Sequence, residues 1–271
     1  MAMFTSQLFR IFNLFTIIAI LFIQLNNCVC MASQIINGTL GGGFSAGVAT
    51  WYDSPTGPGS GGACGFENDV AYAPYNGMTA AGNRNIFQSG KGCGVCYQVK
   101  CTKATNSLCS ENPVTVTVTN ECPGTCNNEA FHFDLSGIAF GALANPGQAD
   151  PMRKLGRIDI EYQRVQCTYS NIGIQFKIDK GSNVNYLAFA IEFVNGDGDI
   201  GSAAISSSNS NGWLSMKQSW GATWSVGIPE GVSGPYSVKV TTIESQKTAI
   251  ANNVIPANWS KGQNYRSNVN V

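Results

Sequence analysis

A chain of 271 residues with 16 basic and 16 acidic side chains and one histidine is long enough for one large domain or two modest ones. It has no basic tract, which excludes the electrostatic footprint of nucleic-acid binding. Only 12% of the residues are charged while 31 are glycine, so Ser, Thr, Asn and Gln must solvate the surface, a composition suited to a neutral, hydroxyl-rich partner such as a polysaccharide.

In chain order, residues 1–30 read as a secretory signal peptide. Arg10 is their lone charge, and an apolar run at 11–23 follows, broken only by Asn13 and Thr16. A run this short suits a signal core better than a membrane span. Cleavage after Cys30 or Ala32 would leave a mature chain that works outside the cell. Residues 31–43 form a flexible, Gly-rich lead-in holding the glycosylation sequon at Asn37; a second sequon starts at Asn258.

Of the ten cysteines, Cys28 and Cys30 leave with the signal. Cys64, Cys93, Cys96, Cys101, Cys109, Cys122, Cys126 and Cys167 remain, an even set that reads as a disulfide framework in an oxidising compartment. Cys93 and Cys96 have no second C-x-x-C to complete a zinc site and no βαβ pattern around them for redox work, so neither metal nor cofactor is expected. All eight lie between 64 and 167, which implies two domains: a stapled one at 44–171 and one at 172–271 held by its apolar core.

The first domain predicts short strands between Gly-rich loops. Residues 114–118 alternate strictly, valines on one face and threonines on the other, and 96–99 and 158–162 alternate as well. One short helix is expected at 136–143, capped by Asp134 or Ser136. Many strands with one helix suggest a small closed barrel. The second domain predicts strands at 172–178, 186–194, 213–216, 219–226, 236–243 and 248–255, separated by turns such as 195–198, the pattern of a β-sandwich. The connecting stretch near 169–173 is so short that the two domains should pack together.

At this point six motifs stand in one order: Thr50-Trp51-Tyr52, 61–65 (Gly-Gly-Ala-Cys-Gly), 92–96 (Gly-Cys-Gly-Val-Cys), His132-Phe133-Asp134 with Leu135-Ser136-Gly137, Ser219-Trp220-Gly221, and 255–259 (Ile-Pro-Ala-Asn-Trp). Together they resemble a plant β-expansin, the group that includes the grass-pollen group 1 allergens, over about 45–269. The resemblance implies an all-β protein: a six-stranded double-psi β-barrel related to family 45 endoglucanases, followed by an immunoglobulin-like sandwich that binds polysaccharide. It implies wall loosening without measurable hydrolysis. The pairings carried over by motif position are Cys64–Cys93, Cys96–Cys167 and Cys101–Cys109, with Cys122 and Cys126 left for each other.

His132 is the only histidine, and strand alternation sets it on one face with Asp134. From pattern alone an acid site and a capping role for Asp134 stand level; the resemblance favours the acid. Inverting glycoside hydrolysis needs a second carboxyl about 6.5–9.5 Å away. Asn120 and Gly59 stand where relatives carry acids, and Asp53 is offset by one residue from the place of the hydrolase base, which turns it to the other strand face. Thr50, Trp51 and Tyr52 are expected beside Asp134, Tyr52 and Thr50 lining a groove and Trp51 with core packing as its alternative. On the sandwich, Tyr186 and Trp220 are expected to be exposed for stacking on sugar rings, and Trp224, at an even spacing from Trp220, is a further candidate although tryptophan is usually core. Ser225 replaces a basic residue of the family. The expected activity is non-hydrolytic loosening of plant cell walls by a monomer acting on cellulose, xylan or other matrix glycans. The alternatives are a glycoside hydrolase with Asp134 as acid and Asp53 as base, and a binding or defence protein of the barwin type.

Overall fold

The computed structural model describes residues 43–209 and 212–271; the expected signal peptide and Asn37 lie outside the described residues. The first half is a closed barrel of β1 (Ser45–Tyr52), β2 (Thr79–Gly82), β3 (Cys96–Lys100), β4 (Val114–Glu121), β5 (His132–Ser136) and β6 (Arg157–Val165) in the order β1-β5-β2-β4-β3-β6. β1 runs parallel to β5 and β2 parallel to β4, while the other neighbours are antiparallel. Inward alternation fills the barrel with Ala49, Val116, Val118, Phe133 and Leu135, closed by Phe140, Leu143 and Met152 from beyond β5.

Three short helices decorate the barrel: α1 (Arg84–Phe87), α2 (Gly137–Ala142) and α3 (Ala149–Arg153). Ser136 caps α2, its hydroxyl accepting the N–H of Ala139. Asp134 is therefore released from the capping role the sequence left open to it. The threonine face of β4 is not wet as strict alternation suggests: Thr117 and Thr119 are buried, and Thr117 Oγ1 lies 3.3 Å from the Tyr169 hydroxyl. Tyr169, in the stretch that follows β6, packs against that face.

The second half is two facing sheets. β7 (Gln175–Ile178), β8 (Tyr186–Glu192), β11 (Lys217–Trp220), β12 (Thr223–Gly227) and β15 (Asn264–Arg266) form one, in the order β11-β12-β8-β7-β15. β9 (Ser202–Ser207), β10 (Leu214–Ser215), β13 (Tyr236–Thr241) and β14 (Thr248–Ile255) form the other, in the order β10-β9-β13-β14. Phe176, Leu187, Phe189, Ile205 and Val238 pack between them. The stretch 219–226, expected as one strand, is two: the chain reverses after Trp220 at Gly221, whose φ of +50° suits glycine.

The two halves meet in a third apolar cluster containing Phe66, Tyr75, Phe87, Tyr169, Phe193 and Ala222 together with Cys64, Cys93, Cys96 and Cys167. Phe193 stands at its centre, with ring centroids 5.0 Å from Tyr75 and 5.6 Å from Tyr169. Disulfides join Cys64–Cys93, Cys96–Cys167, Cys101–Cys109 and Cys122–Cys126. The second ties residues 71 apart, the longest loop and so the largest stabilisation in the chain-entropy picture.

Polar ties rim the seam. Arg164 pairs with Asp199 at 2.8 Å and with Glu244. Lys177 pairs with Glu67 at 3.3 Å and Asp69 at 3.2 Å. Glu192 is buried under Tyr75, and burial, followed by the nearby Asp69, drives its carboxyl well above the usual range. Among the described residues no helix is long and apolar enough to cross a membrane, and no group of His, Cys, Asp and Glu is placed to hold a metal ion.

Removing the ring at the centre of the seam should be costly. Phe193→Ala is expected to destabilise the protein by about 3–5 kcal/mol, read as a lowered denaturant midpoint. An effect below 1 kcal/mol would mean that the halves are not held by this cluster.

Candidate functional site

The parallel pairing of β1 with β5 sets the site. Its register places Val48 beside His132 and Thr50 beside Asp134. Because Ala49, Phe133 and Leu135 point into the barrel, Thr50, His132 and Asp134 share the outer face. The Thr50 hydroxyl donates to Asp134 Oδ1 at 2.5 Å and lies 2.8 Å from His132 Nε2. A hydroxyl has one proton to give. With that proton on Asp134, the His132 Nε2 must supply its own, which fixes the Nε2–H tautomer. Nδ1 is then bare, and it is buried without a hydrogen-bond partner.

Burial raises the Asp134 carboxyl above its ordinary value of 3.8, opposed by the Thr50 hydrogen bond and the charge of His132. Burial likewise lowers His132 below 6.5 against the pull of Asp134, so the imidazole is neutral at pH 7. The result is a short chain of hydrogen bonds running from a neutral imidazole through a hydroxyl to a carboxyl that holds its proton more tightly than an exposed aspartate does.

Tyr52 continues the outer face. Its hydroxyl lies 3.4 Å from the Gly59 carbonyl, and burial raises its pKa against the opposing influence of the Asn120 and Thr79 side chains. Asn120 does not stand free: its amide oxygen accepts the backbone N–H of Ala63 and of Glu121, each at 2.8 Å. Asp53 occupies an exposed turn at φ +68° and its carboxylate accepts the Gly59 N–H at 3.3 Å. Trp51 takes the core-packing role that the sequence left open to it. It has the opposite strand parity, packs against the barrel core and gives its indole N–H to the Arg153 carbonyl at 2.9 Å.

On the sandwich, Trp220 and Tyr186 are 48% and 37% exposed. Trp220 pairs with Thr223, Thr223 with Ala190, and Gly227 with Tyr186. The two aromatics thus flank a stretch of sheet four residues long, roughly 13 Å at strand rise. Trp224 is a correction. It is 7% exposed, pairs with Phe189 and packs in the sandwich core. The even-spacing argument failed because the chain turns between residues 220 and 224, so the two tryptophans stand on different strands.

The loop at 59–65 joins the two regions and was not singled out as part of a site. It begins under Tyr52, is tied to Asn120 through Ala63, and ends against the sandwich: a Cβ on Gly65 would lie 2.8 Å from Trp220 Cη2. Its glycines and its place in the 61–65 motif were the signals it carried in the sequence. Lys177 and Lys180 stand beside Trp220 and were also missed; both are paired with Glu67, at 3.3 and 3.0 Å. Asn258 is exposed in the turn after β14.

Comparison with known proteins agrees with this construction. The Expansin C-terminal domain family matches residues 174–256, and a barrel family described as Lytic transglycolase matches 79–162. Expansin-B2 of Arabidopsis thaliana is 46% identical over 98% of this chain and 97% of its own. Expansin-B11 of Oryza sativa subsp. japonica is 46% identical over 84% and 78%. Pollen allergen Phl p 1 of Phleum pratense is 41% identical over 86% and 88%. Among solved structures, an expansin from Clavibacter michiganensis, crystallised free and as a mutant with cellohexaose, has the same fold at TM-scores of 0.60 and 0.62, 21% and 20% identity, and coverage of 83% and 84% of this chain and 96% and 98% of its own. With close to half its residues shared with plant proteins of one kind over nearly its full length, this chain belongs to the expansin family, in the β-expansin group.

Proposed function

We infer that this protein loosens plant cell walls by displacing non-covalent contacts between cellulose and matrix glycans, and that it does so without cleaving them. The observation that carries the reading is the Thr50–Asp134–His132 arrangement: one carboxyl with an elevated pKa, held by a hydroxyl, with an amide, Asn120, spent on backbone N–H groups beside it. One acid without an aligned base can offer a strong hydrogen bond to a glycan oxygen but cannot activate a water on the opposite face. Tyr52 and Trp220 extend the contact surface, and the loop at 59–65 between them supports one continuous groove across both halves. The cellohexaose in the Clavibacter structure supports a neutral β-glucan as one ligand; xylan is another. The protein works as a secreted monomer in the wall, its leader at 1–30 removed and Asn37 and Asn258 available for glycosylation.

A clamped, heat-killed wall strip with released reducing sugar counted in parallel tests this reading. Extension without sugar release is expected. Steady release that is lost in both Asp134→Asn and Asp53→Asn would make the protein a hydrolase.

Asp134→Asn is expected to cut extension at least tenfold, because an amide N–H is a far weaker acid than a carboxyl. Stability at pH 7 should hold or rise. A carboxyl whose folded pKa lies above its unfolded one destabilises the folded state when ionised, and folding gains stability as pH falls through the folded value. For the same reason extension by the native protein should increase as pH falls from 7 through that raised value. A flat profile would remove Asp134 from the mechanism.

The two tryptophans should separate cleanly. Trp220→Ala is expected to weaken retention on insoluble polysaccharide with little change in unfolding midpoint. Trp224→Ala should destabilise by about 3–5 kcal/mol. Equal loss of binding at unchanged stability in both variants would contradict the placement of Trp224 in the core.

A further inference from the structure

The seam buries a carboxyl that no cation is placed to neutralise. Glu192, at the end of β8, is 1% exposed and lies where the sandwich meets the barrel. The Tyr75 hydroxyl and the Gln175 side-chain amide donate to it, each at 3.4 Å. The Gln175 oxygen accepts the Arg266 guanidinium at 2.7 Å, which turns the amide nitrogen toward the carboxyls and settles its orientation. That same nitrogen donates to Asp69 Oδ2 at 3.2 Å. A carboxyl of the sandwich and a carboxyl of the barrel therefore converge on one amide nitrogen across the seam.

The two are not equally equipped to carry charge. Asp69 Oδ2 also receives the Lys177 ammonium at 3.2 Å and the Asn264 amide at 3.0 Å. The surrounding cations have their partners elsewhere than Glu192. Lys177 is shared by Asp69, Glu67 and the Phe66 carbonyl, Lys180 pairs with Glu67, and Arg266 is held by Gln175 and lies over the Phe193 ring. The facing phenols add no charge: burial raises the Tyr75 hydroxyl well above its ordinary value and that of Tyr169 to about 12. An ionised Glu192 would thus be a buried carboxylate beside a second carboxylate, the arrangement that favours keeping one proton between the two. The next residue, Phe193, has a φ of +60°, a left-handed conformation that a bulky side chain rarely adopts. Packing against Tyr75 and Tyr169 holds it there, so whatever weakens the seam lets this backbone relax.

We propose that Glu192 and Asp69 hold a single proton as a tie between sandwich and barrel, and that loss of this proton as the pH rises loosens the seam and frees the angle between the two halves. Burial first, and then Asp69, keeps folded Glu192 protonated to a higher pH than an unfolded chain would. The stabilisation is therefore complete below the unfolded value and is lost as the pH rises through the folded one. The device concerns the seam alone and does not rest on the wall-loosening reading.

The test follows the protein, labelled with ¹³C in its glutamate carboxyls and ¹⁵N in its amides, from pH 4.5 to 9. The Glu192 carboxyl, assigned through its bonds to its own backbone, is expected to stay protonated at pH 6, where exposed glutamates are ionised, and to titrate above that. Residual dipolar couplings of barrel and sandwich amides should fit one alignment tensor below this titration and need two above it. Glu192→Gln, neutral at every pH, should fit one tensor throughout. Asp69→Asn removes the neighbouring charge and should move the Glu192 titration down by about one pH unit or more. A Glu192 carboxyl already ionised at pH 6, or still protonated at pH 9, would overturn the proposal. So would one tensor for the native protein after Glu192 has titrated, two tensors in Glu192→Gln over the same range, or a titration unmoved in Asp69→Asn. If either variant fails to fold, the carboxyl titration and the tensors of the native protein still decide.

Discussion

Everything distinctive about this protein depends on the seam between barrel and sandwich. Phe193 and Ala222 from the sandwich pack with Phe66, Tyr75, Phe87 and Tyr169 and with two of the disulfides in one buried cluster. The close approach demands glycine: a Cβ on Gly90 would lie within 2.9–3.0 Å of the Gly221 backbone. Buried aromatic surface is worth roughly 25 cal/mol per Å² removed from water, and the paired charges at its rim add orientation more than energy. A seam of this kind holds two domains at one angle, where a short linker over a polar interface would let them swing.

The fixed angle is what gives the surface chemistry its meaning. Thr50 and Asp134 are brought together by parallel pairing of strands more than eighty residues apart, which only the closed barrel enforces. Trp220 belongs to the other half, yet it lies against Gly65 of the loop that Asn120 anchors. A glycan reaching from Tyr52 to Trp220 would meet two weak contact regions already set in place. The second contact then costs little further entropy, and binding gains strength by effective concentration rather than by new interactions. The same rigidity keeps the Asp134 carboxyl partly buried, and that burial raises its pKa against the opposing pull of the Thr50 hydrogen bond and His132.

Much of this was legible in the residues. Period-two patterning located most of the strands, the cysteine asymmetry marked the stapled half, and alternation across 131–134 put His132 and Asp134 on one face. The failures share a physical cause: each depended on what a second element does. Alternation set Thr117 and Thr119 on the face opposite the valines but did not show that this face is buried, with Tyr169 against Thr117. Trp224 was paired with Trp220 by counting along a single strand, and a turn at Gly221 made two strands of it. The short β15 has too few residues to show a period at all and forms only because β7 offers it an edge.

The central claim is that barrel and sandwich present a single glycan groove whose geometry the seam fixes. Calorimetric affinity of the intact protein for a series of neutral oligosaccharides of increasing length addresses it most directly. The account predicts a steep gain once the chain is long enough to reach from Asp134 to Trp220, and loss of that gain in Trp220→Ala. An affinity that levels off at lengths covering the sandwich face alone, and does not change on substitution of Tyr52, would contradict it.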